Sequence, residues 1–301
     1  MLLRLLKKII LCGLLFAPLS LTAAPYAKIV VFGDSLSDMG NLAALPGYEF
    51  LNNAPYKHSF TNGITAVGYL AKSLGLPLKS SLHLTGLVRG NNFAVAGAKL
   101  SANDLTDLGA QISSFLASQA NKARADALYV VFLGGNDIRD MRDKPEAASA
   151  AVLKNATLNL QKALTQLIKA GATHFLVVNA PDLGLIPETH ARPALIKRAS
   201  LKSIAFNKAL TRVVTETKKT RGVSIVLFDL MTFLNGIVNN GKAYHFNNTQ
   251  QACYNSTSFK YYAVCNNAKM NSFLFFDEIH PTQRVHERMG RAFFAALPEA
   301  N

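Results

Sequence analysis

A serine placed just after an apolar run, and an aspartate followed three residues later by a histidine, are the features of this chain most suited to chemistry. Ser35 follows the apolar run 29–32, and Asp277 and His280 lie near the other end of the chain. A serine hydroxyl is a weak nucleophile, so it needs a base to take its proton and a carboxylate to hold that base in the right tautomer. The spacing predicts serine-based acyl chemistry, with Ser35 as nucleophile, His280 as base and Asp277 as the carboxylate.

The carbonyl that a serine attacks becomes an oxyanion, which needs preorganised hydrogen-bond donors. The backbone N–H of Ser35 is one such donor. Gly97 can offer a second N–H with no side chain in the way of a substrate, and Asn136 can offer its side-chain amide. We therefore expect Ser35, Gly97 and Asn136 to form an oxyanion hole.

Apolar runs alternate with amphipathic stretches along the chain after residue 27. The runs predict buried strands at residues 28–32, 128–133, 174–179 and 223–229. The stretches between them predict helices at residues 64–74, 145–171, 192–221 and 282–297. This alternation indicates a parallel sheet covered on both faces, whose ligands bind at the carboxyl ends of the strands. Because no linker or repeat divides residues 24–301, we predict a single domain.

Four sequence blocks together resemble the GDSL (SGNH) lipases and esterases, and they occur in family order at residues 33–41, 97, 134–137 and 277–280. Residues 59–63 and 181–184 are similar to segments of the secreted phospholipase and acyltransferase branch of that family. The resemblance implies a flavodoxin-like three-layer α/β/α sandwich, the SGNH hydrolase fold. It also implies ester hydrolysis without a metal or other cofactor, and the roles assigned above to the catalytic and oxyanion residues.

The N-terminal residues have the pattern of a secretory signal peptide. Cations precede residue 9, an apolar stretch covers residues 9–21, and small residues follow at 22–24. We predict that residues 1–23 are a signal, cleaved after Ala23, and that the protein is secreted or periplasmic. A membrane anchor is the alternative, but the apolar stretch is short and is interrupted by Pro18.

Removal of the signal leaves two cysteines, Cys253 and Cys265, which we expect to form a disulfide in an oxidising compartment. They lie in residues 244–276, called here the disulfide segment, which holds 9 of the 27 Phe and Tyr residues of the chain. Two readings are open: a flap that covers an acyl chain beside the active site, or a surface loop whose aromatic side chains pack onto the body. A further hypothesis is that the ring holds the flap closed until reduction or an activating protease frees it.

The chain is strongly basic, with a formal net charge of +14, or +11 once the three cations of the predicted signal are removed. Part of the excess lies on one face of the predicted helix at 192–221. That face is either the solvated side of a packed helix or a surface for peripheral membrane contact. We expect no nucleic-acid partner, because no recognised motif accompanies the charge.

The leading functional hypothesis is a secreted ester hydrolase that releases fatty acids from phospholipids, as a lysophospholipase or phospholipase A. A second is acyl transfer from a glycerophospholipid to an alcohol such as cholesterol, since water and alcohol compete for one acyl-enzyme. A third is hydrolysis of small or carbohydrate esters. A binding module on an inactivated scaffold is opposed by the five expected catalytic positions, all of which are filled.

Overall fold

Four parallel strands form the sheet at the centre of the protein. The computed structural model describes residues 26–298, and the predicted signal peptide at 1–23 lies outside the described residues. In spatial order the strands are β1 (Lys28–Gly33), β2 (Ala127–Phe132), β3 (His174–Val178) and β4 (Ser224–Phe228). All six residues of β2 are buried, as expected for a strand covered on both faces. The four predicted strands are confirmed, and each bound lies within one residue of the prediction.

Helices cover both faces of this sheet, which confirms the predicted α/β/α architecture. They are α1 (Ala66–Ser73), α2 (Leu108–Ser118), α3 (Gly135–Asp143), α4 (Glu146–Ala170), α5 (Pro187–His190), α6 (Ile196–Thr217), α7 (Leu230–Asn239) and α8 (Gln283–Ala296). Helices α1 and α8 pack together, while α2, α3, α4 and α6 form a second contacting group. Helix α4 ends where predicted, at Gly171, whose φ of 115° is easily adopted only by glycine.

An extended segment lies along the outer edge of β1 and brings a distant part of the chain to the end of that strand. The N–H of Val31 donates to Asn91 at 3.0 Å, and the N–H groups of Phe93 and Val95 donate back to Val31 and Gly33 at 2.7 and 3.1 Å. These bonds run in the direction of a parallel strand. They carry the chain to Gly97 beside the turn that follows β1.

Helix α6 has the packed face that the sequence indicates, but its basic face is only partly solvated. Phe206 and Leu210 are buried on one side, although Ile196 is only half-buried. On the other side, Lys202 binds Glu146 at 2.6 Å, and the Arg198 guanidinium donates to the Arg142 carbonyl at 2.8 Å. Within residues 26–298 the structure has no helix long and apolar enough to cross a bilayer.

The disulfide segment forms small sheets of its own and packs mainly onto the body. Strand β5 (Asn248–Ala252) pairs with β8 (Phe273–Phe275), and β6 (Tyr254–Asn255) forms a hairpin with β7 (Lys260–Tyr261). Cys253 and Cys265 are joined by a disulfide. Tyr254 and Phe276 stack with ring centroids 5.8 Å apart, in a second hydrophobic cluster separate from the core around the sheet. The packing matches the surface-loop reading of these aromatic residues.

Candidate active site

Ser35 lies on a turn at the carboxyl end of β1, and Gln111 holds that turn against the sheet. The Gln111 side chain accepts from the N–H of Gly33 at 2.9 Å and donates to its carbonyl at 2.8 Å. A Cβ atom at Gly33 would come within 2.7 Å of the Phe132 carbonyl oxygen, so glycine allows the strand to pass close to β2. Gly33 is therefore held by Gln111 on one side and lies close to β2 on the other, and this fixes the start of the turn that carries Ser35.

Two buried aspartates shape the turn. The Asp34 carboxylate accepts from the Leu36 N–H at 3.0 Å, and burial raises the pKa of Asp34 to about 6 against the lowering effect of this bond. The Asp38 carboxylate accepts from Gly40 and Asn41 N–H groups, each at 2.8 Å, and from the Ala96 N–H at 2.9 Å. Asp38 thus ties the serine turn to the residue before Gly97.

The three predicted catalytic side chains meet in one hydrogen-bonded line. His280 Nε2 lies 2.8 Å from Ser35 Oγ, and His280 Nδ1 lies 2.8 and 2.9 Å from the two oxygens of Asp277. Asp277 is 1% exposed and His280 is 7% exposed. With Nδ1 donating to the carboxylate, Nε2 is left free to accept the serine proton, as nucleophilic catalysis requires.

Residues 277–280, called here the catalytic loop, are held by bonds from backbone N–H groups to the Asp277 side chain and by bonds to the surroundings of the loop. Asp277 Oδ1 accepts from the N–H groups of Ile279 and His280 at 2.8 and 2.7 Å. The Glu278 carbonyl accepts from the Glu188 N–H at 2.8 Å. The Glu278 carboxylate accepts from Ser256 Oγ and from the Tyr262 hydroxyl, both at 2.7 Å. The loop is thereby linked to α5 on one side and to the disulfide ring on the other.

Of the three predicted oxyanion donors, Ser35 and Asn136 line the cleft, and Gly97 lies next to the residue that Asn136 contacts. Asn136 lies at the start of α3, and its amide nitrogen donates to the Ala98 carbonyl at 3.1 Å, which leaves a second amide hydrogen for a substrate. This bond places Asn136 beside Gly97, which has a φ of 85° and open space where a Cβ would stand. Asn136, Ser35 and His280 all line one cleft.

A largely apolar cleft of about 740 Å³, including space open to solvent, begins at the catalytic residues. Its apolar lining comes from several elements: Leu36, Pro181, Leu183, Leu185, Ile186, Leu230, Leu234, Val238, Leu274, Phe275, Ile279, Pro281 and Met289. From the disulfide segment, only Leu274 and Phe275 are among these residues. Only the last residues of the disulfide segment therefore lie where a flap over the acyl chain would have to be.

Several residues that build the site were not assigned a site role from sequence. Asn41 donates to the Asn92 and Ala94 carbonyls at 2.8 Å each and so fixes the segment that leads to Gly97. Helix α7 contributes Leu230, Leu234 and Val238 to the cleft. The four-residue spacing of these apolar side chains was the available signal, since it puts them on one face of a helix.

Two further histidines, His286 and His83, are shielded from solvent but lie outside the catalytic site. His286 accepts from the Ala66 N–H at 3.0 Å, and burial, aided by nearby His280, lowers its pKa to about 3. Burial likewise lowers the pKa of His83 to about 4. Among residues 26–298 there is no group of three or more His, Cys, Asp or Glu side chains arranged to hold a metal ion.

Comparison with known proteins places these features in a family. The sequence model of the GDSL-like lipase/acylhydrolase family matches residues 29–293. The thermolabile hemolysin of Vibrio parahaemolyticus is 27% identical over 274 residues, which cover 86% of this chain and 61% of the hemolysin. The inactive GDSL esterase/lipase-like protein 25 of Arabidopsis thaliana is 25% identical over 301 residues, covering 90% of this chain and 72% of that protein.

Solved structures share the fold at lower identity. A variant of Axe2, an acetyl-xylooligosaccharide esterase from Geobacillus stearothermophilus, aligns with a TM-score of 0.51 and 17% identity, covering 91% of this chain and 95% of the other. The family match extends from β1 into α8 and includes Ser35, Gly97, Asn136, Asp277 and His280. The chain belongs to the GDSL-like lipase/acylhydrolase family of ester hydrolases.

Proposed function

We propose that this protein is an exported serine hydrolase that releases fatty acids from phospholipids, acting as a lysophospholipase or phospholipase A. The observation that carries the proposal is the apolar cleft that begins at Ser35 and is walled by α7 and residues 183–186. Burying a methylene group is favourable by about 0.8 kcal/mol, so a long acyl chain gains from such a wall while an acetyl group gains little.

The geometry suits each catalytic residue to a defined role in the proposed reaction. Ser35 Oγ attacks the acyl carbonyl while His280 Nε2 takes the serine proton, and the Asp277 carboxylate stabilises the resulting imidazolium. The carbonyl oxygen becomes an oxyanion that accepts from the N–H groups of Ser35 and Gly97 and from the Asn136 amide. His280 then protonates the departing alcohol oxygen of the glycerophospholipid, which leaves an acyl-enzyme. Water, deprotonated by His280, releases the fatty acid and restores Ser35.

Two comparisons support a lipid substrate over other esters. The relative from Vibrio parahaemolyticus is named for hemolysis, and the matched region covers 61% of its length. Residues 181–184 resemble the phospholipase branch of the family, and Pro181, Asp182 and Leu183 lie in the cleft wall. The likeness to Axe2 concerns the fold, so it does not favour a carbohydrate ester.

Export is part of the proposal and has separate support. Residues 1–23 have the charge and apolar pattern of a signal peptide. The Cys253–Cys265 disulfide fits a protein that folds in an oxidising compartment. Secretion and a periplasmic location are both consistent with these features.

Mass spectrometry of lipids after incubation with the protein tests the substrate class. The substrates are lysophosphatidylcholine, a diacyl phospholipid and a short-chain soluble ester, each with and without cholesterol, and Ser35→Ala is the control. We expect wild-type protein to release long-chain fatty acid and Ser35→Ala to release none. Formation of cholesteryl ester would identify an acyltransferase instead. Turnover of the short ester alone would contradict the lipid proposal and leave a small-substrate esterase.

A further inference from the structure

Apolar side chains are exposed together on the ring closed by Cys253 and Cys265. Phe259 and Val264 are 49% and 50% exposed, and Tyr261 and Tyr262 are 37% and 36% exposed. Tyr48, on the neighbouring turn, is 39% exposed. These five residues are called here the aromatic patch. Single exposed apolar residues are common on protein surfaces, whereas an apolar cluster indicates a surface that binds something.

Ring contacts join the patch to the active site. The Phe259 ring lies 5.2 Å from the Phe50 ring, which in turn lies 6.5 Å from Tyr48 and 5.5 Å from Tyr56. The chain of contacts continues from Tyr56 to Phe60 at 6.1 Å and from Phe60 to His280 at 5.0 Å. The patch is thus connected to the catalytic base by a short series of packed rings.

Phe259 has an unusual backbone conformation for its residue type. It lies in the β6–β7 turn with a φ of 55°, in the left-handed region that asparagine and glycine adopt more readily than phenylalanine. Its N–H donates to the Asn255 carbonyl at 2.9 Å, which maintains the turn whatever the side chain. The Phe259 ring packs on Phe50 but stays half exposed, so packing alone does not account for a phenylalanine in this conformation. This favours a role for the ring in contact with a partner.

The charge around the patch indicates what kind of partner. Residues 242–276 contain Lys242, Lys260 and Lys269 but no aspartate or glutamate, and the Glu278 carboxylate beyond them accepts hydrogen bonds from Ser256 and Tyr262. Glu49 is the acidic residue next to Tyr48, and Lys57 follows eight residues later in the chain. Tyrosine and other aromatic side chains favour the headgroup level of a bilayer, and lysines near it are attracted to anionic lipids.

We infer that the aromatic patch docks this protein on an anionic phospholipid surface. Docking would bring lipid from that surface to the catalytic cleft, so the purpose of docking rests on the proposed function. The binding test does not depend on that function. The patch, rather than the basic face of α6, then supplies the membrane contact. Tyr262 belongs to the patch and also donates to Glu278, so a direct hydrogen bond joins the patch to the catalytic loop.

Sedimentation with vesicles of phosphatidylcholine and phosphatidylglycerol tests the inference. All proteins carry Ser35→Ala, so that binding is measured without loss of lipid. The patch variant adds Phe259→Asn and Val264→Ser, and its thermal midpoint checks that the turn still folds. The matched control adds Leu201→Ser and Ile204→Ser on α6, where the native side chains are 55% and 50% exposed and lie between Lys197 and Lys208.

We expect the patch variant to bind vesicles about tenfold more weakly than the parent, and the α6 variant to bind like the parent. In proteins that retain Ser35, the patch substitutions should lower the ratio of vesicle-lipid hydrolysis to soluble-ester hydrolysis. Equal binding by the parent and the patch variant, equal loss in the α6 variant, or no binding by the parent would each overturn the inference. Absence of phospholipid hydrolysis by wild-type protein would overturn the proposed function, while the vesicle result would still report on docking.

Discussion

The catalytic loop buries its polar groups, whereas the disulfide segment directly before it exposes apolar ones. Asp277 and His280 are nearly inaccessible, and each polar atom of the Asp277 carboxylate has a partner in the loop. In contrast, every residue from 257 to 264 is exposed, including Phe259 and Val264. The two regions are adjacent in the chain and are joined by the Glu278 carboxylate.

The difference shows how one end of the sheet can hold both a fixed catalytic geometry and a surface for contact with a partner. A buried charge must be paired or hydrogen-bonded, so the loop acquires a single geometry that suits catalysis. An exposed apolar side chain has no such requirement and gains free energy only when a partner covers it. We therefore expect substitutions in the loop to affect the rate of the chemical step, and substitutions in the disulfide segment to affect stability and lipid contact.

Asp277→Asn should produce the largest effect. It retains an acceptor for the loop N–H groups but no longer holds His280 in the tautomer that accepts the serine proton, so kcat/KM should fall about 10⁴-fold. Hydrolysis of a soluble ester measures this. Glu278→Gln is the matched control in the same loop, and its loss should stay within about tenfold because it contacts only the disulfide ring through its side chain. Similar losses in both variants would refute the assignment of Asp277.

Asn136→Ala should lower kcat by about 10²–10³-fold with little change in KM, because an oxyanion donor acts mainly in the transition state. Steady-state kinetics with a soluble ester provide the values. Asn235, another amide in the cleft wall, provides the comparison. If Asn235→Ala costs as much as Asn136→Ala, the oxyanion assignment is wrong.

Replacing both Cys253 and Cys265 with serine should affect stability more than catalysis. Opening a ring with a sequence separation of 12 should lower the free energy of unfolding by about 3 kcal/mol, because the unfolded chain regains freedom. Urea unfolding measures the change. Turnover of a soluble ester should remain far above that of Asp277→Asn. An unchanged urea midpoint would show that the ring does not restrain the unfolded chain.

Asp34→Asn should change how stability depends on pH. The pKa of Asp34 is raised from 3.8 to about 6 in the folded chain, chiefly by burial, so the folded state binds more protons than the unfolded state between these values. The stability that Asp34 contributes is full below its unfolded pKa and is lost as pH rises through about 6. The advantage of Asp34→Asn over wild type should therefore grow by at most about 1.4 kcal/mol per pH unit in this window and level off above it. Unfolding in urea at several pH values measures it, and a constant difference would contradict the expected titration.

The sequence was most informative where the physical signal is local. Apolar runs predicted the four strands of the sheet, although the sheet is fully buried only near its centre and β4 at the edge is partly buried, and Gly171 marked the end of α4. The three-residue spacing of Asp277 and His280 indicated a carboxylate within reach of an imidazole. The turn after β1 pointed to Ser35 because strand ends in such sheets carry ligands.

The local signal for the cleft wall is weak, and the edge of the sheet depends on contacts that no local pattern specifies. Helix α7 was not predicted, since Thr232, Asn235 and Gly236 interrupt its apolar character. The extended segment at 91–95 is recognisable only by its bonds to β1. The disulfide segment showed its aromatic enrichment in the sequence, but only the fold separates the rings that pack inward from those that face solvent.

The most direct test of the account is the acyl-chain profile of a variant with a filled cleft. Leu234→Trp places a larger side chain in the wall formed by α7, and Leu201→Trp adds the same side chain at an exposed position of α6. Hydrolysis rates are measured for lysophosphatidylcholines and matched soluble esters with acyl groups from acetyl to stearoyl. The account predicts that Leu234→Trp shifts the preferred acyl group to a shorter one, whereas Leu201→Trp keeps the wild-type profile. An identical profile for both variants and wild type would contradict the claim that the acyl chain occupies this cleft.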